Sequence, residues 1–86
     1  MKLKIFTKND CPNCPPAKKL AKELKKEGKL EIENHNVDEP DGLAEAQFYD
    51  VLATPSLILC DEADDEIISW RGKAPLKKDV YKETVQ

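Results

Sequence analysis

Two cysteines separated by two residues, Cys11 and Cys14, stand where the pattern of the chain changes from strand to helix. Before them, residues 2–7 alternate polar and apolar side chains, which is typical of a β-strand. After them, residues 12–27 repeat small and apolar side chains at helical spacing, and Gly28 is suited to end the helix. The pair therefore lies at the start of a predicted helix, where a spacing of three residues brings both sulfur atoms to one side.

The position at a helix start has a chemical consequence for Cys11. The first N–H groups of a helix have no partner within it, and the helix dipole is positive at that end. Both effects favour the thiolate of Cys11 over the thiol, whose free pKa is about 8.5. Cys14, inside the helix, is expected to be less exposed. The residues therefore predict that Cys11 attacks a disulfide and that Cys14 then displaces the product from the mixed disulfide.

Three neighbours are expected to support this site: Lys8, Pro12 and Asn13. Pro12 is well placed near a helix start, because no intrahelical N–H bond is lost there. Lys8 adds positive charge close to Cys11, whereas Asp10 adds negative charge. The sequence does not determine the sign of their combined effect.

The rest of the chain continues in short elements. Strands are predicted over residues 30–37, 56–60 and 66–70, and helices over residues 43–51 and 76–85. Turns are predicted over residues 40–42 and 61–65. A β-α-β opening implies a parallel strand pair with a right-handed crossover. The order β-α-β-α-β-β-α therefore predicts an α/β fold, a four-stranded mixed sheet flanked by helices, in a single domain over residues 1–86.

The spacing of apolar residues predicts which side chains are buried. In the first helix they are Ala17, Leu20, Ala21 and Leu24. In the second they are Leu43, Ala46, Val51 and either Phe48 or Tyr49, and in the last Leu76, Val80 and either Tyr81 or Thr84. The strand over residues 56–60 is nearly all apolar and is expected to be central in the sheet.

Composition restricts the class of protein. The chain has 86 residues, of which 40% are hydrophobic, as in globular proteins. No apolar run approaches the roughly 18 residues of a membrane span, and the N-terminus lacks the apolar stretch of a secretory signal. These features predict a cytoplasmic protein, which is expected to be a monomer. Three cysteines, an odd number, do not fit a structural disulfide framework.

The net charge of -3 is unevenly distributed along the chain. Residues 1–29 carry nine Lys against three acids, residues 30–70 carry twelve acids and no Lys or Arg, and residues 71–86 carry five basic residues against two acids. Such asymmetry can steer partners at low salt. The basic stretch has neither Arg nor interleaved aromatic residues, so nucleic-acid binding is not expected.

Two motifs in this element order resemble those of the thioredoxin/glutaredoxin superfamily. They are Cys11-Pro12-Asn13-Cys14 at the start of a Lys-rich helix, and Thr54-Pro55 before a strand. The resemblance covers nearly the whole chain and is strongest to glutaredoxins and to small glutaredoxin-like thioredoxins. Asp10 stands where thioredoxins typically carry Trp, and Ile5 stands where they bury an Asp.

The resemblance implies roles for several residues. Cys11 and Cys14 are then the catalytic pair, and the Thr54–Pro55 peptide bond is cis, although only about 5–6% of X-Pro bonds are. Thr54, Pro55 and Gly72 are then substrate-binding, with the backbone of Thr54 pairing with an extended substrate. No cofactor is implied, because the dithiol is itself the redox centre.

The residues after the last strand bear on which molecule donates electrons to the cysteine pair. Glutaredoxins hold glutathione with a Gly pair and an acid pair after the last strand, and residues 70–75 contain neither; Asp64-Asp65 is an acid pair that falls before that strand. The pattern of Trp70 and Gly72 with one residue between them is instead similar to that of redoxins reduced by a flavin-containing thioredoxin reductase. The prediction is an enzyme that reduces protein disulfides with a thioredoxin reductase-type partner, and the alternative is a glutathione-dependent glutaredoxin.

A zinc-binding module is the non-enzymatic alternative. Cys11, Cys14, Cys60 and His35 nominally supply a Cys3His ligand set. Cys60 and His35 stand alone in the sequence, without a second short-spaced ligand pair, so no metal is predicted. Cys60 is expected to be a small buried side chain and His35 a surface or strand-edge residue. Trp70 is expected either in the core or beside the substrate groove.

Overall fold

The structure, a computed structural model, describes residues 1–84 and has the predicted element order. The strands are β1 (Lys2–Thr7), β2 (Glu31–Asn36), β3 (Ser56–Cys60) and β4 (Glu66–Arg71). The helices are α1 (Cys14–Glu27), α2 (Pro40–Phe48) and α3 (Lys77–Thr84). The predicted strand ends are correct to within one residue, and Val85, in the predicted last helix, lies outside the described residues. Within those residues, no helix combines the length and apolarity that crossing a membrane requires.

The strands form one mixed sheet in the order β2-β1-β3-β4. β1 and β2 are parallel and are connected through α1, whereas β3 is antiparallel to both β1 and β4. β3 is central, as its apolar sequence predicts, and all its residues are buried. The predicted α/β class and four-stranded mixed sheet are confirmed.

Helices cover both faces of the sheet. On one face α1 and α3 pack over the sheet, and the buried side chains there are Leu3, Ile5, Ala17, Leu20, Ala21, Leu24, Leu57, Leu59 and Val80. On the other face α2 packs over Phe6, Ala46, Tyr49, Ile58 and Cys60. Burial of a large apolar side chain contributes roughly 1.5–3 kcal/mol, so these two layers are the main source of stability.

α1 begins at Cys14, two residues later than predicted. Residues 12 and 13 form a turn, which is closed by a hydrogen bond from the Cys14 N–H to the Cys11 carbonyl at 3.3 Å. Two prolines follow Cys14, and their missing N–H groups cost no hydrogen bond in a first turn. The helix ends where predicted, at Gly28, whose φ of 69° is left-handed.

α2 differs from the prediction at both ends. The turn expected over residues 40–42 is instead the first turn of the helix, and the helix ends at Phe48 rather than at residue 51. Pro40 suits the first helical position, and Asp41 places negative charge at the positive end of the helix dipole. The same residue types form turns and begin helices, which is why the prediction was wrong here.

Gly42 sets how closely α2 approaches β2. A Cβ atom at this position would lie 1.9 Å from the carbonyl oxygen of Asn36 and 2.5 Å from its carbonyl carbon. The same carbonyl oxygen accepts a hydrogen bond from the Glu39 N–H at 3.0 Å. The backbone of α2 therefore lies directly against the end of β2, which only a residue without a side chain allows.

Some apolar side chains predicted to be buried are exposed. Leu43 is half exposed, because Gly42 and Ala46 are the residues that α2 buries. Of the two alternatives Phe48 and Tyr49, Tyr49 is the buried one. Leu76 is 62% exposed, since it precedes α3 instead of lying within it.

Lys4 is a charged side chain buried beneath α2, only 4% exposed. Its Nζ lies 3.1 Å from Oε1 of Glu33 on β2 and 2.8 Å from Oε1 of Glu45 on α2. It also lies 5.3 Å from the centre of the Tyr49 ring. A buried ammonium needs such partners because it has lost its hydration, so Lys4 ties β1, β2 and α2 together.

Glu33 leads to a prediction on pH and stability. Partial burial by itself would raise the pKa of Glu33, but hydrogen bonds from Lys2, His35 and Lys4 outweigh it and lower that pKa from 4.5 to about 2. Because the pKa is lower in the folded chain, the stabilisation is complete above pH 4.5 and is lost as the pH falls through 2. We expect Glu33→Gln to lower the free energy of unfolding by about 1 kcal/mol at pH 7 and by less near pH 2. Urea unfolding at both pH values measures this, and an equal loss at both would contradict it.

Candidate active site

Cys11 and Cys14 are joined, with an S–S distance of 2.14 Å and a Cα–Cα distance of 5.3 Å. Cys14 is the first residue of α1 and is 1% exposed. Cys11 lies in the preceding turn and is only half-buried. A partner can therefore reach the sulfur of Cys11, whereas that of Cys14 lies beneath the surface, in agreement with the expected difference in exposure.

The segment before β3 lies beside this pair. The Thr54–Pro55 peptide bond is cis, as the resemblance implies, and Pro55 is fully buried. The Thr54 hydroxyl lies 3.6 Å from the sulfur of Cys11. The Gly72 N–H donates to the Pro55 carbonyl at 2.8 Å, which places the end of β4 next to the same segment. Five of the predicted site residues are thus brought together: Cys11, Cys14, Thr54, Pro55 and Gly72.

Two surface clefts contain the remaining predicted residues. The first, which we call the Gly72 cleft, has a volume of about 420 Å³ and is lined by Pro12, Asn13, Pro16, Gly72, Lys73 and Ala74. The second, the Thr54 cleft, has a volume of about 460 Å³ and is lined by Lys8, Val37, Leu43, Ala46, Val51, Leu52, Ala53 and Thr54. Pro12 and Asn13 thus belong to one cleft and Lys8 to the other. The Thr54 cleft is bordered by Leu52, which is 98% exposed.

Comparison with known proteins identifies the family. The model of the thioredoxin-domain family matches residues 1–84. The chain belongs to the thioredoxin-domain family. It is 39% identical over 61 residues to a probable thioredoxin of Archaeoglobus fulgidus, a match that covers 70% of this chain and 66% of that protein. This chain therefore spans just under two thirds of that relative's length.

Two further matches extend over nearly the whole chain. A thioredoxin of Methanocaldococcus jannaschii is 27% identical over 82 residues, covering 95% of this chain and 94% of that one. The solved structure of thioredoxin 1 from Thermosipho africanus has a TM-score of 0.69 at 22% identity and covers 98% of this chain and 90% of that one. The structural match shows the thioredoxin fold. A joined Cys-x-x-Cys pair in this family is consistent with a thiol–disulfide oxidoreductase.

Arg71 is a residue of this thioredoxin domain that the sequence did not single out. Its guanidinium donates to the carbonyl oxygens of Asp50 at 3.0 Å and Tyr49 at 3.1 Å, and it pairs with Glu66 at 3.1 Å. It therefore ties the end of β4 to the chain that leads from α2 to the Thr54–Pro55 bond. No local pattern marks this role, because it depends on how two distant segments approach each other.

The zinc ligand set is not assembled in the thioredoxin fold. Cys60 of β3 stands opposite Lys2 of β1 in the sheet, at the end far from the Cys11–Cys14 pair. Its side chain is fully buried, and this burial raises the pKa of its thiol. His35 is partly buried, stacks on Phe6 with ring centroids 5.1 Å apart, and lies 2.8 Å from Glu33. In residues 1–84, the metal-type ligands that lie within reach of one another are Glu33, His35 and Glu45, and no cysteine is among them. The Lys4 ammonium already lies between the two carboxylates.

Trp70 packs against the core, which is one of the two places expected for it. This core is the one formed by α1, α3 and the sheet, and the Trp70 side chain is half-buried there. It also borders a hollow of about 490 Å³ at the start of α3, together with Pro75, Leu76 and Asp79. This hollow adjoins the Gly72 cleft, since Lys73 and Ala74 line both.

Proposed function

We propose that this chain is a dithiol–disulfide oxidoreductase that reduces protein disulfides with Cys11 as nucleophile and Cys14 as resolving thiol. The supporting observation is the unequal exposure of the two joined sulfurs beside the cis Thr54–Pro55 bond. An accessible first sulfur with a buried second one suits a reaction in two steps. The first step engages the substrate, and the second releases it.

Electrons and protons balance over these two steps. The Cys11 thiolate attacks a substrate disulfide, so that a Cys11–substrate S–S bond forms, the substrate bond breaks and the leaving thiolate takes up a proton. The Cys14 thiolate then attacks the Cys11 sulfur, forms the intramolecular disulfide and expels the second substrate thiol. The substrate gains two electrons and two protons, which the two cysteines lose. The positive end of α1 stabilises the thiolate of Cys11 in the first step.

The two clefts suggest how the substrate lies. An extended segment that crosses the backbone of Thr54 passes directly over the Cys11 sulfur, since the Thr54 side chain already lies 3.6 Å from it. Its flanks then lie in the Gly72 cleft and in the Thr54 cleft, where Lys8 adds a positive charge. In this arrangement Pro12, Asn13 and Gly72 contact one flank of the substrate and Thr54 contacts its centre, while the buried Pro55 holds the Thr54 backbone in place.

We propose that a thioredoxin reductase-type flavoprotein reduces the chain. The residues lining the Gly72 cleft include no carboxylate, so the cleft offers no partner for the amino group of glutathione. It offers Lys73 instead, beside apolar surface. The alternative donor is glutathione itself, in which case the chain is a glutaredoxin.

The chain acts as a single domain and a monomer in the cytoplasm, needs no cofactor besides its own cysteine pair, and binds neither nucleic acid nor membranes. Its partners are proteins that carry disulfides and the reductase that returns electrons to it.

The test is insulin reduction with three electron sources: dithiothreitol, NADPH with thioredoxin reductase, and NADPH with glutathione and glutathione reductase. We expect reduction with the first two, and turnover with thioredoxin reductase at least about tenfold faster than with glutathione. A low-molecular-weight mixed disulfide serves as a second acceptor, because faster turnover of it with glutathione would favour the glutaredoxin alternative. A rate of insulin reduction with dithiothreitol that is no higher than the rate of the Cys11→Ser control would contradict the proposed activity.

A further inference from the structure

Three lysines of α1 line a groove along the outer side of the helix. Lys18, Lys22 and Lys25 face Thr7, Asn34 and Asn36 across a space of about 480 Å³, together with Ala21. The three lysines follow one another by four and three residues, so they lie on one stripe of the helix. No acidic side chain lines this groove.

These lysines form no ion pair within the described residues, in contrast to Lys2, Lys4 and Lys77. Lys2, Lys4 and Lys77 each lie within about 3 Å of a carboxylate, at 2.9, 2.8 and 2.6 Å. In the part of the chain that the structure describes, no carboxylate oxygen lies within 4.0 Å of Nζ of Lys18, Lys22 or Lys25. The groove therefore presents three ammonium groups whose charge nothing nearby neutralises.

The groove is open on one side and ends near the reactive pair. β2 is an edge strand, so no further strand of the described chain lies beyond it. The opposite side of α1 is occupied by α3, whose Lys77 pairs with Glu27. Thr7 and Asn36 are the last residues of β1 and β2, and the chain leaving β1 reaches Cys11 four residues later. The end of the groove formed by Thr7 and Asn36 is therefore the end nearer to Cys11, since the Asn36 side chain donates to Asn9, two residues before Cys11, at 3.1 Å.

We infer that this groove, defined by Lys18, Lys22, Lys25, Asn34 and Asn36, binds an acidic segment of the protein whose disulfide Cys11 attacks. The inference rests on the proposed function and adds the substrate class to it. An extended chain advances about 3.3 Å per residue, so acids at alternate positions are about 6.6 Å apart. Lys18 and Lys22 are separated by about 6 Å along the helix axis, at 1.5 Å per residue, which matches that spacing.

Nucleic acid is a poorer occupant of this groove. The groove has no aromatic side chain on which a base can stack and no Arg. Its three lysines span only about 10 Å of the helix. The exposed Asn34 side chain can bond the backbone of a peptide in the groove, whereas the Asn36 amide already donates to Asn9 Oδ1 and its oxygen accepts from the Asp38 N–H. Opposite charge across such a surface acts mainly on the rate of encounter, and salt weakens it.

The test compares two peptides that contain the same internal disulfide, one flanked by Glu at alternate positions and the other by Lys. We expect the reduced chain to reduce the acidic peptide about tenfold faster at about 20 mM salt, with the difference falling to within about twofold at about 0.5 M salt. In Lys18→Gln/Lys22→Gln/Lys25→Gln the preference is expected to fall to within about twofold, with reduction of a neutral peptide unchanged.

The matched control is Lys19→Gln/Lys26→Gln/Lys78→Gln, which removes the same charge from exposed lysines outside the groove. It is expected to keep most of the preference. If both triple variants lost the preference for the acidic peptide equally, only net charge would matter. If the original chain showed no preference, the groove would not act on the substrate. Either result would overturn the inference. Stronger competition by a single-stranded oligonucleotide than by an acidic peptide without cysteine would also overturn it. Failure to reduce any of the peptides would instead count against the proposed function.

Discussion

Cys11→Ser is expected to abolish disulfide exchange, with insulin reduction falling roughly a thousandfold or more to the rate of the uncatalysed reaction. The physical reason is that the Cys11 sulfur is the accessible one of the pair, whereas the Cys14 sulfur is buried at the start of α1. A serine hydroxyl at position 11 does not ionise near neutral pH and forms no bond with a disulfide sulfur. Turnover with dithiothreitol as donor measures the effect.

Cys14→Ser is expected to trap the mixed disulfide, because the attack by Cys11 proceeds and the displacement by residue 14 does not. The substrate should remain covalently attached to Cys11, which intact-mass spectrometry detects as an adduct that dithiothreitol removes. Cys60→Ala is the matched control, since Cys60 is a thiol at the other end of the sheet, and it should retain full activity. Full activity of Cys11→Ser, or the absence of a substrate adduct on Cys11 in Cys14→Ser, would contradict the assignment of the nucleophile.

Gly42→Ala is expected to have the largest effect on stability, a loss of about 3 kcal/mol or more in the free energy of unfolding. The new Cβ would lie 1.9 Å from the Asn36 carbonyl oxygen and 2.9 Å from the Asn36 nitrogen. These are backbone atoms of β2, so they cannot move aside as the end of a flexible side chain can. α2 must shift away from the sheet, which also disturbs the Lys4–Glu45 pair beneath it.

Gly28→Ala is the control for Gly42→Ala, because it adds the same methyl group where no atom beyond the adjoining residues lies within 4 Å. Its cost comes only from the left-handed φ of 69° and is expected to be about 1 kcal/mol. Urea unfolding of both variants, followed by circular dichroism, gives the two free energies. A loss in Gly42→Ala no larger than that in Gly28→Ala would contradict the close packing of α2 on β2.

Much of the fold could be predicted because it follows from local patterns. Alternation over residues 2–7 correctly predicted β1, and helical spacing identified the buried side chains of α1. The apolar β3 was correctly expected at the centre. The start of α2 was predicted wrongly, because Pro40 and Asp41 are as common in turns as in the first turn of a helix.

The sequence by itself determined the element order, the position of Cys11 and Cys14 at a helix start, and the lysine-rich surface of α1, because each depends on neighbours within a few residues. Only the tertiary structure decided that Lys4 is buried between two carboxylates, and that Arg71 holds the chain before Thr54. It alone showed that Thr54 lies 3.6 Å from the reactive sulfur. These contacts join segments tens of residues apart, and their geometry is set by packing across the sheet, which no local pattern encodes.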